Sequence, residues 1–151
     1  MSKIAKVTPA PVPKTKDVQR ISIFYAVVLV VMVMAQLFTF DTFIELYGPI
    51  IAALLVAFEV FALPFLLRMP LSRAFRWVSM VSGWLVAALW IGITSWLIIA
   101  DVSVGTVGFL GTAIDTIPGW WAVFMSFAFA LLAAWSAWGM WPAKHSAKRK
   151  Q

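Results

Sequence analysis

The sequence contains no cysteine and only one histidine, and these two scarcities exclude several kinds of site. Without cysteine the chain cannot form a disulfide, a CxxC redox pair, a thiolate metal site or a cysteine nucleophile. The single histidine, His145, lies in a basic tail, so one copy cannot hold a haem between two histidines or assemble a serine, histidine and acid triad. We therefore predict no metal and no cofactor, and an enzyme is the less favoured class of protein.

Charged residues are scarce as well. Only 12% of the residues are charged and 63% are hydrophobic, and the mean hydropathy is +0.94. Soluble proteins carry about 25% charged and about 45–50% apolar residues. This composition excludes a water-soluble globular protein and indicates a protein embedded in a lipid bilayer.

Long apolar runs account for the composition. A helix needs about 20 mostly apolar residues to cross roughly 30 Å of hydrocarbon. Four stretches meet this requirement: residues 21–40, 49–67, 77–100 and 119–141. We predict an all-α polytopic membrane protein, with a four-helix transmembrane bundle over residues 21–141. Basic tails flank it, residues 1–20 and 142–151, and the three alternating prolines of the first predict an extended, solvated segment.

The lysines and arginines follow the predicted topology. All twelve lie in the two tails or in the connection between the second and third spans, whereas residues 41–48 and 101–118 contain none and hold four of the six acids. This bias predicts that both termini are cytoplasmic, in the plasma or inner membrane of the cell. Because topology explains every cation, we predict no nucleic-acid partner. The basic ends are also suited to anionic lipid.

One ionisable residue, Glu59, lies deep in a predicted span. It is ten residues from Pro49 and eight from Leu67. A carboxylate in hydrocarbon costs several kcal/mol, so we expect Glu59 to be protonated and to hydrogen-bond inside the bundle. Two roles stay open: a structural hydrogen-bonding group between helices, and a proton or substrate site. Candidate members of a polar pocket around Glu59 are Gln36, Trp90, Trp84, Thr94 and Ser95.

The two connections without cations differ in character. In residues 41–48, Thr42 and Glu45 form a capping-box pattern that predicts a short helix before the second span. In residues 101–118, Gly105, Gly108 and Gly111 alternate with apolar residues. This connection is either a loop on the outer surface of the bundle or a re-entrant cap over a cavity, which requires that its backbone is buried or hydrated.

Parts of the sequence resemble four-helix proteins of the DoxX/MauE-like group, over about residues 24–100. The segments that carry the resemblance are Leu37-Phe38-Thr39-Phe40-Asp41-Thr42-Phe43, Tyr47-Gly48-Pro49 and Phe58-Glu59-Val60-Phe61-Ala62-Leu63-Pro64-Phe65-Leu66-Leu67-Arg68. The resemblance implies that Glu59 is the group's acid in span two, and that the protein is an accessory to a redox or thiol-handling partner. Since the chain has no cysteine, it cannot exchange thiols itself.

Three classes of function follow from the sequence. The first is a small membrane accessory or assembly protein, bound to a membrane-protein partner or to copies of itself. The second is a small transporter or channel in which Glu59 binds a proton or cation. The third is a subunit that binds a quinone or another lipid-soluble ligand between its deep tryptophans.

Overall fold

The computed structural model describes residues 9–102 and 104–140. In chain order its elements are α1 (Lys16–Phe38), α2 (Phe40–Tyr47), α3 (Pro49–Leu66), α4 (Arg73–Ile99), the short extended segment β1 (Phe109–Thr112) and α5 (Trp120–Met140). Four of the helices, α1, α3, α4 and α5, are long and apolar enough to cross a membrane. The prediction of an all-α protein with four such helices is therefore confirmed.

Two of the helices begin earlier than their apolar stretches predict. Helix α1 begins at Lys16 instead of residue 21, and α4 begins at Arg73 instead of residue 77. The residue before each helix caps it. The Val18 N–H donates to the Thr15 hydroxyl at 3.2 Å, and the Phe75 N–H donates to the Ser72 hydroxyl at 3.3 Å. These caps stabilise a polar first turn that hydropathy does not detect.

The N-terminal tail is non-helical and mostly exposed or half-buried over residues 9–15, but it is hydrogen-bonded to the bundle. The predicted tail of residues 1–20 is corrected at its end, because residues 16–20 belong to α1. Pro11 is buried, and its carbonyl accepts a hydrogen bond from Nε of Arg68 at 3.1 Å. The Lys14 N–H donates to the Gly139 carbonyl at 3.0 Å. These polar groups anchor residues 9–14 across the helix ends. Residues 1–8 and the C-terminal tail, with Trp141 at the predicted end of the fourth span, lie outside the described residues.

The four long helices form a closed ring in which α1 and α4 each pack against both α3 and α5. The core contains large side chains from all four helices, including Tyr25, Leu55, Trp90 and Phe129. We call the end of the bundle that carries α2 and residues 100–119 the loop end, and the end near Thr15, Ser72 and Met140 the terminal end.

The hydroxyl of Ser79 takes the place of a backbone hydrogen bond in α3 near Pro64. It donates to the Phe61 carbonyl at 2.6 Å and accepts from the Phe65 N–H at 3.0 Å. Within a regular helix these two backbone groups would bond each other, one turn apart. Proline disturbs this turn, and a side chain of α4 is inserted into it. Helix α3 is thereby fixed to α4 two residues past Glu59.

Candidate functional site

Glu59 lies on the buried face of α3. The buried residues of this helix include Ala52, Leu55, Glu59 and Ala62, which recur every three or four positions. This spacing defines one face of a helix, and the Glu59 side chain is therefore directed into the bundle. Its solvent exposure is 0%.

One carboxyl oxygen of Glu59 connects three helices. Its Oε1 accepts a hydrogen bond from Nε2 of Gln36, on α1, at 3.2 Å. The same oxygen accepts another from Nε1 of Trp90, on α4, at 3.1 Å. Both donors are completely buried, with 0% exposure. The structure thus brings together three of the residues that the sequence assigned to a polar pocket.

Two oxygens of the site have no hydrogen-bond partner among the described residues. They are Oε2 of Glu59 and Oε1 of Gln36, and both are buried. The one ion pair found within the described part of the chain joins Arg20 to Asp17 and does not involve Glu59. When Glu59 is protonated on Oε2, the two oxygens are chemically complementary, because one carries a donor and the other is an acceptor.

Residues 107–112, which we call the cap segment, cover the site at the loop end. The Gln36 amide also donates to the Phe109 carbonyl at 3.3 Å, and the Phe109 ring lies 4.6 Å from the Trp90 ring, centroid to centroid. The Tyr47 hydroxyl donates to the Val107 carbonyl. The cap segment therefore contacts the same two side chains that bind Glu59.

Two of the three predicted cap glycines lie where the cap segment approaches the helices closely. Gly108 has a φ of +79°, and Gly111 has a φ of +60°. A Cβ on Gly111 would lie 2.6 Å from the Ala35 carbonyl oxygen, closer than any side chain tolerates. Gly105 is exposed, and a Cβ there would meet nothing within 4 Å.

Threonines stabilise the loop internally and attach it to Thr39, the residue that follows α1. The Val107 N–H donates to the Thr116 carbonyl at 2.7 Å, and the Thr106 and Thr116 hydroxyls lie 3.1 Å apart. The Thr112 N–H donates to the Thr39 hydroxyl at 3.0 Å. Sequence reasoning missed these threonines and Phe109. The one feature of the sequence that could have identified these threonines is that Thr106 and Thr112 lie on either side of Gly108 and Gly111.

The remaining pocket candidates lie away from Glu59. Thr94 is buried one turn from Trp90, where its hydroxyl donates to the Trp90 carbonyl at 2.7 Å and lies 3.3 Å from that of Ser126. Ser95 is half-buried. Trp84 is 42% exposed on the outside of the bundle, so it does not line the site.

No group of three metal-ligating side chains occurs within residues 9–102 and 104–140. A comparison with known proteins gives no match to the chain among family models, curated sequences or solved structures. The resemblance to the DoxX/MauE-like group therefore stays a prediction.

Proposed function

We propose that the protein is a small integral membrane accessory or assembly protein, with both termini on the cytoplasmic side of the plasma or inner membrane. In this proposal Glu59 is a neutral structural group that holds α1, α3 and α4 together beneath the cap segment. The observation that carries the proposal is that Glu59 is enclosed within one chain, with both of its hydrogen bonds made to that chain's own side chains.

A neutral Glu59 follows from the energetics of burial. A buried carboxylate without a cationic partner costs several kcal/mol, and neither of the side chains bonded to Glu59 is charged. Two N–H donors offset part of that cost, but a proton removes it. The protonated acid retains Oε1 as an acceptor for Gln36 and Trp90.

A proton- or cation-coupled transporter is the second candidate, and one observation favours it: Oε2 of Glu59 has no partner among the described residues, so it is available to a proton. The surroundings of Glu59 favour the accessory or assembly role. A carrier must expose its binding group to both sides in turn, whereas Glu59 has 0% exposure and is covered by the cap segment. A glutamate shared across a symmetry axis would lie on the surface of its own copy.

Purification from native membranes in mild detergent tests the proposal with two substitutions, Glu59→Gln and Glu59→Leu. We expect the wild type and Glu59→Gln to co-purify with the same membrane protein at the same stoichiometry, because glutamine keeps an acceptor for Gln36 and Trp90. Glu59→Leu leaves the buried Trp90 N–H unpaired, which costs about 1–3 kcal/mol. We expect it to lower the stability of the bundle and the yield of the complex.

Two results would contradict the accessory role. One is a wild-type protein that purifies alone at every detergent concentration tested. The other is proton flux in proteoliposomes that the wild type supports and Glu59→Gln abolishes, since glutamine preserves the shape of the site but cannot release a proton. If the co-purifying partner is a redox or thiol-handling protein, the resemblance to the DoxX/MauE-like group gains direct support.

A further inference from the structure

A groove of about 290 Å³ lies between α1 and α5. Its walls are Val28, Val31 and Met32 from α1 and Met125 and Phe129 from α5, and Phe109 of the cap segment forms its floor. All of the helical residues lie in the loop-end half of their helices. Val31 is 52% exposed and Met125 is 42% exposed, so the groove is open along the side of the bundle. In a membrane, the acyl chains of the surrounding lipids would contact the groove.

The groove offers no free polar group to an occupant. The hydroxyl of Thr116, at its rim, is already within hydrogen-bond distance of the Thr106 hydroxyl at 3.1 Å. The indole N–H of Trp121 donates to the Ile117 carbonyl at 2.6 Å. An occupant is therefore held by apolar contact alone. The volume of the groove, about 290 Å³, is at the low end of ligand pockets, which measure about 300–1,000 Å³.

The dimensions of the groove suit a single hydrocarbon chain better than a helix. From Trp121 to Phe129 it extends over eight residues of α5, or about 12 Å. A transmembrane helix of a partner or of a second copy is about 30 Å long and 10–12 Å wide, so more than half of it would lie outside the groove.

The charge next to the groove favours one kind of lipid head group over another. Residues 101–118 contain no lysine or arginine, and Asp115 is the acid of this connection that adjoins a lining residue of the groove. Asp115 is exposed and directly precedes Thr116. An anionic head group would be repelled at this rim, whereas the ammonium of a zwitterionic head group would be attracted.

We propose that the groove between α1 and α5 binds one acyl chain of a zwitterionic phospholipid from the leaflet at the loop end. The chain contacts Phe109, whose ring packs against Trp90, and so supports the cap segment. The proposal requires a membrane location but is independent of the role of Glu59, and its test leaves Glu59 intact.

Native mass spectrometry of the full chain in mild detergent, titrated with phosphatidylcholine or phosphatidylglycerol of identical acyl chains, tests the proposal. Val28→Phe and Val31→Phe fill the groove. Val31 is half-exposed, so this second variant folds even where the first does not. Val30→Phe is the matched control, because Val30 is 40% exposed on the same helix and does not line the groove.

We expect the wild type and Val30→Phe to bind phosphatidylcholine more tightly than phosphatidylglycerol, and the groove-filling variants to lose about tenfold in phosphatidylcholine affinity. Equal phosphatidylcholine binding by all four proteins would overturn the proposal. So would a preference for phosphatidylglycerol, or a second copy or other polypeptide that occupies the groove in the wild type and is released by Val31→Phe.

Discussion

At the scale of single residues, Glu59 and its two partners stabilise one another. Buried N–H groups need an acceptor, and Oε1 of Glu59 accepts from both Gln36 and Trp90. The amide of Gln36 is shared with the Phe109 carbonyl, so the cap segment depends on the same set of bonds. Loss of Glu59 therefore leaves the Trp90 N–H unpaired, and loss of Gln36 leaves the Phe109 carbonyl without this donor. Loss of the Trp90 N–H removes one of the two bonds to Oε1 of Glu59.

Trp90→Phe tests this mutual dependence. The substitution removes the indole N–H and part of the ring that packs against Tyr47 and Phe109. We expect the free energy of unfolding in micelles to fall by about 1–3 kcal/mol. Trp84→Phe is the control, because Trp84 is 42% exposed and outside the site, and we expect a change below about 0.5 kcal/mol. Equal losses in both variants would show that the indole bond to Glu59 contributes no stability.

The sequence predicted that Glu59 is buried in the bundle, and a ranking of possible partners by their depth in the spans identified Trp90. It judged Gln36 too close to the loop end for direct contact, yet Gln36 bonds Glu59 at 3.2 Å. The difference arises from α2. This helix of about 12 Å connects α1 to α3. Because Gln36 is two residues from the end of α1 and Glu59 is ten residues from the start of α3, their hydrogen bond means that α3 begins farther out than α1 ends. The depths were counted from the ends of the first and second spans, as if those ends lay at the same height in the membrane. In this fold the two ends lie at different heights.

At the scale of elements, the connections between spans were harder to predict than the spans. A short helix between the first two spans was predicted and is present as α2, but the capping box was wrong. Helix α2 begins at Phe40, and the Thr42 hydroxyl donates to the Thr39 carbonyl at 2.9 Å instead of capping the helix. The close packing of Gly108 and Gly111 depends on α1 and α2, and no local pattern of the loop encodes those contacts.

Gly111→Ala tests the docking of the cap segment. At a φ of +60° an alanine costs about 1–2 kcal/mol, and its Cβ would also overlap the Thr39 hydroxyl and the Ala35 carbonyl. We expect faster amide hydrogen exchange over residues 106–116 in this variant. Gly105→Ala, at an open position of the same loop, should exchange like the wild type. Unchanged exchange in Gly111→Ala would mean that the cap segment is not docked on α1.

At the scale of the whole molecule, the distribution of charge predicts how the bundle is inserted. The loop end has acids but no lysine or arginine in its two connections, and Arg68, Arg73 and Arg76 lie at the terminal end. The apolar spans were predictable because hydrocarbon imposes both their length and their composition. Their helical ends depend on capping residues such as Thr15 and Ser72, to which hydropathy is insensitive.

The absence of native cysteine makes the topology directly measurable. Ala113→Cys introduces a thiol at an exposed position of the loop end, and Met69→Cys introduces one at the terminal end, where Met69 is 45% exposed. We expect a membrane-impermeant maleimide to label Ala113→Cys in intact cells and Met69→Cys only after permeabilisation. The reverse labelling pattern would mean that the termini face outward.

The central claim is that Glu59 is a neutral hydrogen-bonding group enclosed in the bundle, and infrared difference spectroscopy tests it most directly. The other five acids of the chain are all exposed, so a spectrum of the wild type minus that of Glu59→Gln isolates the buried carboxyl group. In membranes at neutral pH we expect the C=O stretch of a protonated carboxylic acid in the wild type and its loss in Glu59→Gln. Carboxylate bands in its place would show that Glu59 is ionised and would contradict the account.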